Sequence, residues 1–191
     1  MIEELTKYWN EQFGKFRPEA HQLKHQFRDR WVRFHTLPDS KRYPESELEY
    51  QEIFRRHNLL LRSVTDLNPI LVVVPEYSEN REPSQPEINL QALFSMTSPW
   101  VTLKQHEDDD PMENYWHLHV AKVAYSGAEL NGLLRLVAND EVGNILILCI
   151  TKNVLYHPYD GGADVILPSS EKRDIVREKY KEWLSSHPEG Y

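Results

Sequence analysis

Arginine and histidine side chains recur in two stretches of the chain that the local sequence assigns to a strand and to a helix. The aromatic and β-branched residues of Trp31–His35 are typical of a strand, in which successive side chains alternate between the two faces. Arg33 and His35 therefore share one face. His57 falls on the apolar stripe of a long helix predicted near 44–66, so we expect it to face the sheet.

These groups would form an anion-binding pocket if the long helix packed beside the strand. A guanidinium group presents forked N–H donors that suit a carboxylate or a phosphate. The predicted binding residues of this group are Arg33, His35, Arg42, Arg56 and His57. A structural alternative is open. In it, Arg55 and Arg56 pair along the helix surface with Glu49, Glu52 or Asp66, and His57 is a hydrogen-bonded core histidine.

The segment 156–164 is the most distinctive loop of the sequence, and it adds the predicted binding residues Tyr159, Asp160 and Asp164. The Asp-Gly-Gly sequence at 160–162 permits positive φ, and Asp160 can hydrogen-bond its own backbone. The two aspartates are candidates for a carboxylate pair. A tight hairpin with an exposed aromatic corner explains the same residues without chemistry.

His117 and His119 lie two residues apart on a predicted strand, an arrangement that presents two imidazoles to one metal ion. The acids at 108–110 could add oxygen ligands, but a third ligand at a defined spacing is missing from the sequence. A half-buried strand face explains the two histidines as well, and we predict no metal site and no cofactor. Nucleophilic catalysis has little support, because the single cysteine, Cys149, lies within an apolar run.

Acidic residues concentrate in the middle of the chain. The formal net charge of the 191 residues is −8, and residues 76–114 alone hold 2 basic and 9 acidic residues, a net of −7. Such a chain repels phosphate backbones, which argues against nucleic-acid binding. The loops 76–89 and 105–114 are candidate contacts for a basic protein partner, and solvated loops are the alternative.

The apolar runs are short. The longest spans residues 145–150, against roughly 20 residues for a membrane-spanning helix, so we predict no membrane association. The first residues are acidic where a signal peptide is basic, and a single cysteine allows no internal disulfide. We therefore expect a cytoplasmic protein.

The order of predicted elements indicates one α+β domain over residues 1–191, with an N-terminal helical segment, 1–29, packed on it. We expect a mostly antiparallel or mixed sheet of about six to seven strands with helices on one face. Besides the N-terminal helices and the long helix near 44–66, we expect a C-terminal helix whose apolar stripe includes Ile175. The candidate strands are 31–35, 70–74, 90–94, 100–103, 115–124, 145–151, 154–157 and 163–167.

Two blocks of sequence resemble a bacterial family of unknown function, the domain-of-unknown-function 3885 family. The first block comprises residues 31–38, 40–43 and 56–58, and the second comprises 159–164 and 183–190. The resemblance covers roughly residues 8–191 and implies a bacterial origin and a shared fold, but no activity. It marks two places to look for a site: the group of Arg33, His35, Arg42 and His57, and the Asp-Gly-Gly loop.

Two functional hypotheses follow from these observations. The acidic middle, the many aromatic residues and the lack of a catalytic constellation favour a non-enzymatic protein-binding module of immunity-like or regulatory type. The alternative is a small hydrolase-type enzyme that acts on an anionic substrate through the Arg/His group. Convergence of that group in an open cleft would favour the enzyme, and its burial in the core would favour the module.

Overall fold

The computed structural model describes residues 1–83, 93–94, 96–105 and 114–185. The strands are β1 Trp31–His35, β2 Ile70–Ser78, β3 Ser98–Lys104, β4 Tyr115–Val123, β5 Leu146–Cys149, β6 Val154–Tyr159 and β7 Gly162–Ile166. The α-helices bounded within these residues are α1 Ile2–Gln12, α2 Ala20–Gln26, α3 Glu47–Thr65, α4 Asn131–Ala138 and α5 Ser170–Lys179. The strands form one sheet in the order β1-β7-β6-β5-β2-β4-β3, and every pairing is antiparallel.

This architecture confirms the predicted α+β fold, with N-terminal helices, a long central helix and a C-terminal helix. The predicted strand at 90–94 is not found in the part that is described: residues 90–92 lie outside it, and Leu93 and Phe94 are not in a strand. The first residues of the predicted loop 76–89 belong to β2, while 84–89 and 106–113 lie outside the described residues. None of the described helices is long and apolar enough to cross a membrane.

Helices cover both faces of the sheet, which differs from the expectation of helices on one face. On the first face, α1 and α2 pack through side chains that include Leu5, Trp9 and Leu23. On the opposite face, α3, α4 and α5 pack through side chains that include Leu60, Leu134 and Val176. The two faces are called here the α1 face and the α3 face. The N-terminal helices were expected to pack on the domain, but sequence periodicity does not say on which side of a sheet.

Side-chain caps fix the ends of two helices. The Ser46 side chain accepts a hydrogen bond from the Glu49 N–H at the start of α3. The Ser169 side chain accepts one from the Lys172 N–H at the start of α5. Ser126 and Glu129 have the spacing of a capping box, but the box is only half formed. The Glu129 carboxylate accepts the Ser126 N–H at 3.0 Å, but the Ser126 hydroxyl donates to that carboxylate and the helix begins later, at Asn131.

The hairpin between β6 and β7 contains the two adjacent glycines. Neither Gly161 nor Gly162 has positive φ, so the conformational reason expected from the sequence is wrong. A Cβ on Gly162 would lie 2.0 Å from the backbone oxygen of Phe34, a distance that real Cβ atoms do not tolerate. Glycine is therefore required because β1 approaches β7 closely at this point.

Ile175 departs from the predicted apolar stripe of the C-terminal helix. Its side chain is 61% exposed, whereas Val176 beside it is buried. The helix therefore turns its Val176 side toward the sheet, and Tyr180, Trp183 and Leu184 pack against the same core.

Candidate functional site

Strand register assembles the predicted polar residues of β1, β6 and β7 on the α1 face. Arg33 lies opposite Asp164 across the β1–β7 pair, and Asp164 lies opposite His157 across the β7–β6 pair. The next row along the strands consists of His35, Gly162 and Tyr159. Cross-strand neighbours of this kind have their Cβ atoms only about 5 Å apart, so their side chains meet.

Arg33 and Asp164 form a bidentate ion pair at the centre of this group. The Arg33 Nε and Nη2 atoms donate to the two Asp164 carboxylate oxygens, each at 2.7 Å, and the Trp31 indole N–H donates to Oδ1 at 2.8 Å. The side chains of Arg33 and Asp164 are only 15% and 5% exposed. The guanidinium carbon also lies 4.6 Å from the centre of the Tyr159 ring, within cation–π distance.

A second ion pair lies at the end of the hairpin. The Arg42 Nε atom donates to the Asp160 carboxylate, and the Tyr43 hydroxyl also bonds this carboxylate, which raises the pKa of Tyr43. Arg42 is largely exposed while Asp160 is buried. Asp160 and Asp164 are therefore each neutralised by a different arginine and do not form the carboxylate pair considered from the sequence.

Two histidines complete the α1-face group. Burial lowers the pKa of His157, whose Nδ1 atom bonds the Ile145 carbonyl at 2.9 Å. Burial also lowers the pKa of His35, a change that the nearby backbone of Gly161 partly opposes. Both ring nitrogens of His35 are enclosed, and neither makes a hydrogen bond of good geometry in the described part of the chain. At neutral pH these lowered pKa values keep both rings uncharged.

His57 does not join this group, because it lies on the α3 face of the sheet. Its Nδ1 atom and the Tyr156 hydroxyl are 2.6 Å apart within the core. Burial lowers the pKa of His57 to about 3. His57 is therefore a hydrogen-bonded core histidine, which was the structural alternative considered from the sequence. The predicted convergence of His57 with Arg33 does not occur.

Arg56 lies at the edge of the sheet rather than in a pocket. Its Nε atom donates to Glu52 at 2.6 Å, and its Nη1 atom donates to the backbone carbonyl of His35 at 3.1 Å. Arg55 pairs with the same glutamate. The helix-surface pairing considered from the sequence is therefore correct for both arginines, and Arg56 also binds a carbonyl that points away from β7.

His117 and His119 have partners other than a metal ion. The His117 Nδ1 atom lies 2.9 Å from the Thr102 hydroxyl and its Nε2 atom lies 3.1 Å from the Asn80 carbonyl oxygen. The His119 Nε2 atom lies 3.1 Å from a Glu76 carboxylate oxygen. Among the residues that the structure describes, no group of three or more His, Cys, Asp or Glu side chains is arranged to hold a metal ion.

The acidic segments leave the sheet from one end. Tyr115, at the start of β4, lies opposite Ser78 at the end of β2 and opposite Lys104 at the end of β3. The acidic stretches that follow β2 and β3 therefore begin side by side, and Glu79 and Glu82 are exposed there. We call this region the acidic end. A cavity of about 530 Å³ opens there, lined by Arg81, Glu82, Pro83, Thr102, Lys104 and Tyr115.

Sequence reasoning missed three participants in these contacts. Trp31 carries a detectable signal, because period two already puts it on the Arg33 face. Thr102 and Asn80 carry none, because they meet His117 only through the pairing of β3 with β4 and through the turn after β2.

The comparisons with known proteins give one match. Residues 20–188 match a family described as "Domain of unknown function (DUF3885)". No curated protein and no solved structure matches the chain. Because the match spans nearly all of the residues, the chain belongs to this family of unknown function, as its sequence blocks indicated.

Proposed function

We propose that the chain is a protein-binding module of immunity-like or regulatory type that recognises a basic surface on its partner through the acidic end. One observation carries the proposal: the register of β2, β3 and β4 brings the exits of both acidic stretches to the same end of the sheet. Residues 76–114 hold a net charge of −7 out of −8 for the whole chain. The charge is therefore concentrated in one segment of the sequence.

The state of the Arg/His group supports a non-enzymatic module over an enzyme that acts through this group. The Arg33 Nε and Nη2 donors are both used by Asp164, which is buried. A substrate carboxylate or phosphate would have to displace this internal ligand. Replacing a buried partner in a bidentate ion pair leaves a buried charge uncompensated, at a cost of roughly 3–5 kcal/mol. This group therefore suits a scaffold better than an anion-binding site.

Concentrated charge of one sign has a defined effect on association. It accelerates encounter with a partner of the opposite sign and makes the rate and affinity fall as salt is added. A basic partner surface would gain this attraction, whereas an acidic one would be repelled. Salt dependence is thus the first property to measure.

The test starts with affinity capture from the host cell and continues with the purified candidate partner in titration calorimetry. The variant Glu79→Lys/Glu82→Lys reverses two exposed charges at the acidic end. We expect its dissociation constant to rise at least about 10-fold at low salt, since close charge pairs at interfaces have coupling energies above about 1.5 kcal/mol. The matched control, Glu178→Lys/Glu182→Lys, reverses two charges near the C-terminal helix and should bind as the wild type does.

Three outcomes would overturn the proposal. The capture yields no partner that binds when purified, the two double variants weaken binding equally, or the affinity is the same at low and at high salt. Equal weakening by both variants would point to net charge alone and not to the acidic end.

A further inference from the structure

The contacts of His117 fix which of its ring nitrogens carries the proton. The Asn80 carbonyl oxygen can only accept a hydrogen bond, so the Nε2 atom at 3.1 Å from it must be protonated. In the neutral ring, Nδ1 then has a free lone pair. The Thr102 hydroxyl, 2.9 Å from Nδ1, therefore donates its proton toward the imidazole.

This arrangement has the parts of an activated hydroxyl nucleophile. Thr102 supplies the hydroxyl, His117 the base, and the Asn80 carbonyl orients the base through its second nitrogen. The burial of the base and the exposure of the hydroxyl also fit the roles of an activated nucleophile. The His117 ring is 2% exposed and held in place, while Thr102 is exposed to approach from outside.

Thr102 lines the cavity at the acidic end, together with the cationic side chains of Arg81 and Lys104. Its volume of about 530 Å³ is within the usual range for small-molecule sites. β3 is the last strand in the described order of the sheet, and the Gln105 N–H bonds Asn114 across the β3–β4 pair at 2.7 Å. Backbone N–H groups along a strand point alternately toward and away from the neighbouring strand. The Gln105 N–H points toward β4, so the Thr102 N–H, three residues earlier, points away from β4 and can donate to a developing oxyanion.

We propose that Thr102 is an acyl-accepting nucleophile and that the cavity binds esters of small carboxylic acids. Thr102 Oγ1 attacks the ester carbonyl carbon while His117 Nδ1 takes the hydroxyl proton. The bond to the leaving alcohol breaks, and His117 returns the proton to that oxygen. Water then attacks the carbonyl carbon of the acyl group while His117 Nδ1 takes a proton from it. The bond to Thr102 Oγ1 breaks, the acid leaves, and His117 returns the proton to Thr102 Oγ1, so both side chains are restored and water is the only other reactant.

Thr102 and His117 carry this activity, whereas the partner binding proposed above rests on the charge of the acidic end, so the two proposals can be tested separately.

The probe is p-nitrophenyl acetate, an ester of a small carboxylic acid. We expect one equivalent of p-nitrophenolate to be released in a burst, and mass spectrometry of peptides to find the acyl group on Thr102. Thr102→Val should abolish both signals, and Thr102→Ser should keep them.

Three controls separate catalysis from structure. Thr97→Val removes the hydroxyl of a threonine five residues earlier in the chain, and it should leave the burst unchanged. His117→Ala should slow acylation at least about 100-fold, the lower end of the effect of a general base, and added imidazole should restore part of the rate. Thermal unfolding shows whether this variant is folded. Thr102→Val keeps the charge of the acidic end, so it should bind the partner normally.

The proposal is overturned if no acyl group is found on Thr102, or if lysines and Thr97 are acylated to the same extent. It is also overturned if Thr102→Val retains the burst. Should His117→Ala be unfolded, the comparison of Thr102→Ser with Thr102→Val decides the question by itself.

Discussion

The Arg33–Asp164 pair offers the sharpest test of the role assigned to the α1-face group. Asp164→Ala removes the acceptor of three donors: two from Arg33 and one from the Trp31 indole. With side chains only 15% and 5% exposed, the pair is buried, and removing one member of a buried pair costs roughly 3–5 kcal/mol. We expect the free energy of unfolding to fall by about 4 kcal/mol. The melting temperature would then fall by about 8–16 °C, at about 2–4 °C per kcal/mol.

The assay is urea unfolding followed by tryptophan fluorescence. Asp164→Asn keeps an acceptor for Trp31 and should cost about 1–2 kcal/mol less than Asp164→Ala, the value of one unsatisfied buried donor. In the double variant Arg33→Met/Asp164→Asn, the loss should be smaller than the sum of the single losses by at least about 2 kcal/mol. An Asp164→Ala cost below about 1 kcal/mol, or strictly additive single losses, would mean that the pair behaves as a solvated surface pair and would refute the reasoning.

Two further predictions concern the backbone and a buried histidine. Gly162→Ala should lower the yield of folded protein or cost more than about 3 kcal/mol in urea unfolding, because its Cβ would meet the Phe34 oxygen at 2.0 Å. Gly161→Ala, whose Cβ would meet side chains alone, the Tyr159 ring at 3.1 Å and Arg42 Cγ at 3.6 Å, should cost much less; equal costs would contradict the close-approach argument. For His57, the folded pKa of about 3 is below the unfolded value of about 6.5, so the unfolded chain binds more protons between these pH values. Its contribution to stability is complete above about pH 6.5 and is lost as the pH falls toward 3. Replacing it in His57→Gln should therefore flatten the decline of unfolding free energy between pH 6.5 and 4.5, and an unchanged slope would contradict the assignment.

Much of the fold is encoded in local patterns that a single sequence reveals. Alternation in Trp31–His35 predicts which side chains share a face, and the structure keeps Trp31 and Val32 in different cores. The helix stripe that includes Leu60 and Leu61 predicts the buried side of α3. Both patterns depend only on the geometry of one element, 2.0 residues per repeat in a strand and 3.6 in a helix. Predictions from these two repeats are correct for elements that bury one side and expose the other.

Relations between elements are not encoded in this way. Sequence placed His57 toward the sheet correctly, but it could not tell on which face α3 packs, so the predicted meeting of His57 with Arg33 failed. The extent of β2 was also missed, because Pro75 and Glu76 are typical of loops. Pro75 lies within β2, opposite Leu118, and Glu76 is buried beside His119. Pairing with β4 and the contact between Glu76 and His119 keep these two residues in the strand despite their low strand propensity.

The Asp-Gly-Gly hairpin and the Arg33 strand also specify each other's register. A slip of one residue between β1 and β7 would turn every side chain of one strand to the other face. Arg33 would then enter the α3-face core beside residues such as Val165 and Ala163, without a carboxylate partner. Gly162 contributes no side-chain packing that could resist such a slip, so we infer that the Arg33–Asp164 pair supplies this specificity. The Arg33–Asp164 group is thus explained by its place at the β1 edge of the sheet, whereas the exposed Thr102 hydroxyl lies on β3, at the other end of the described strand order.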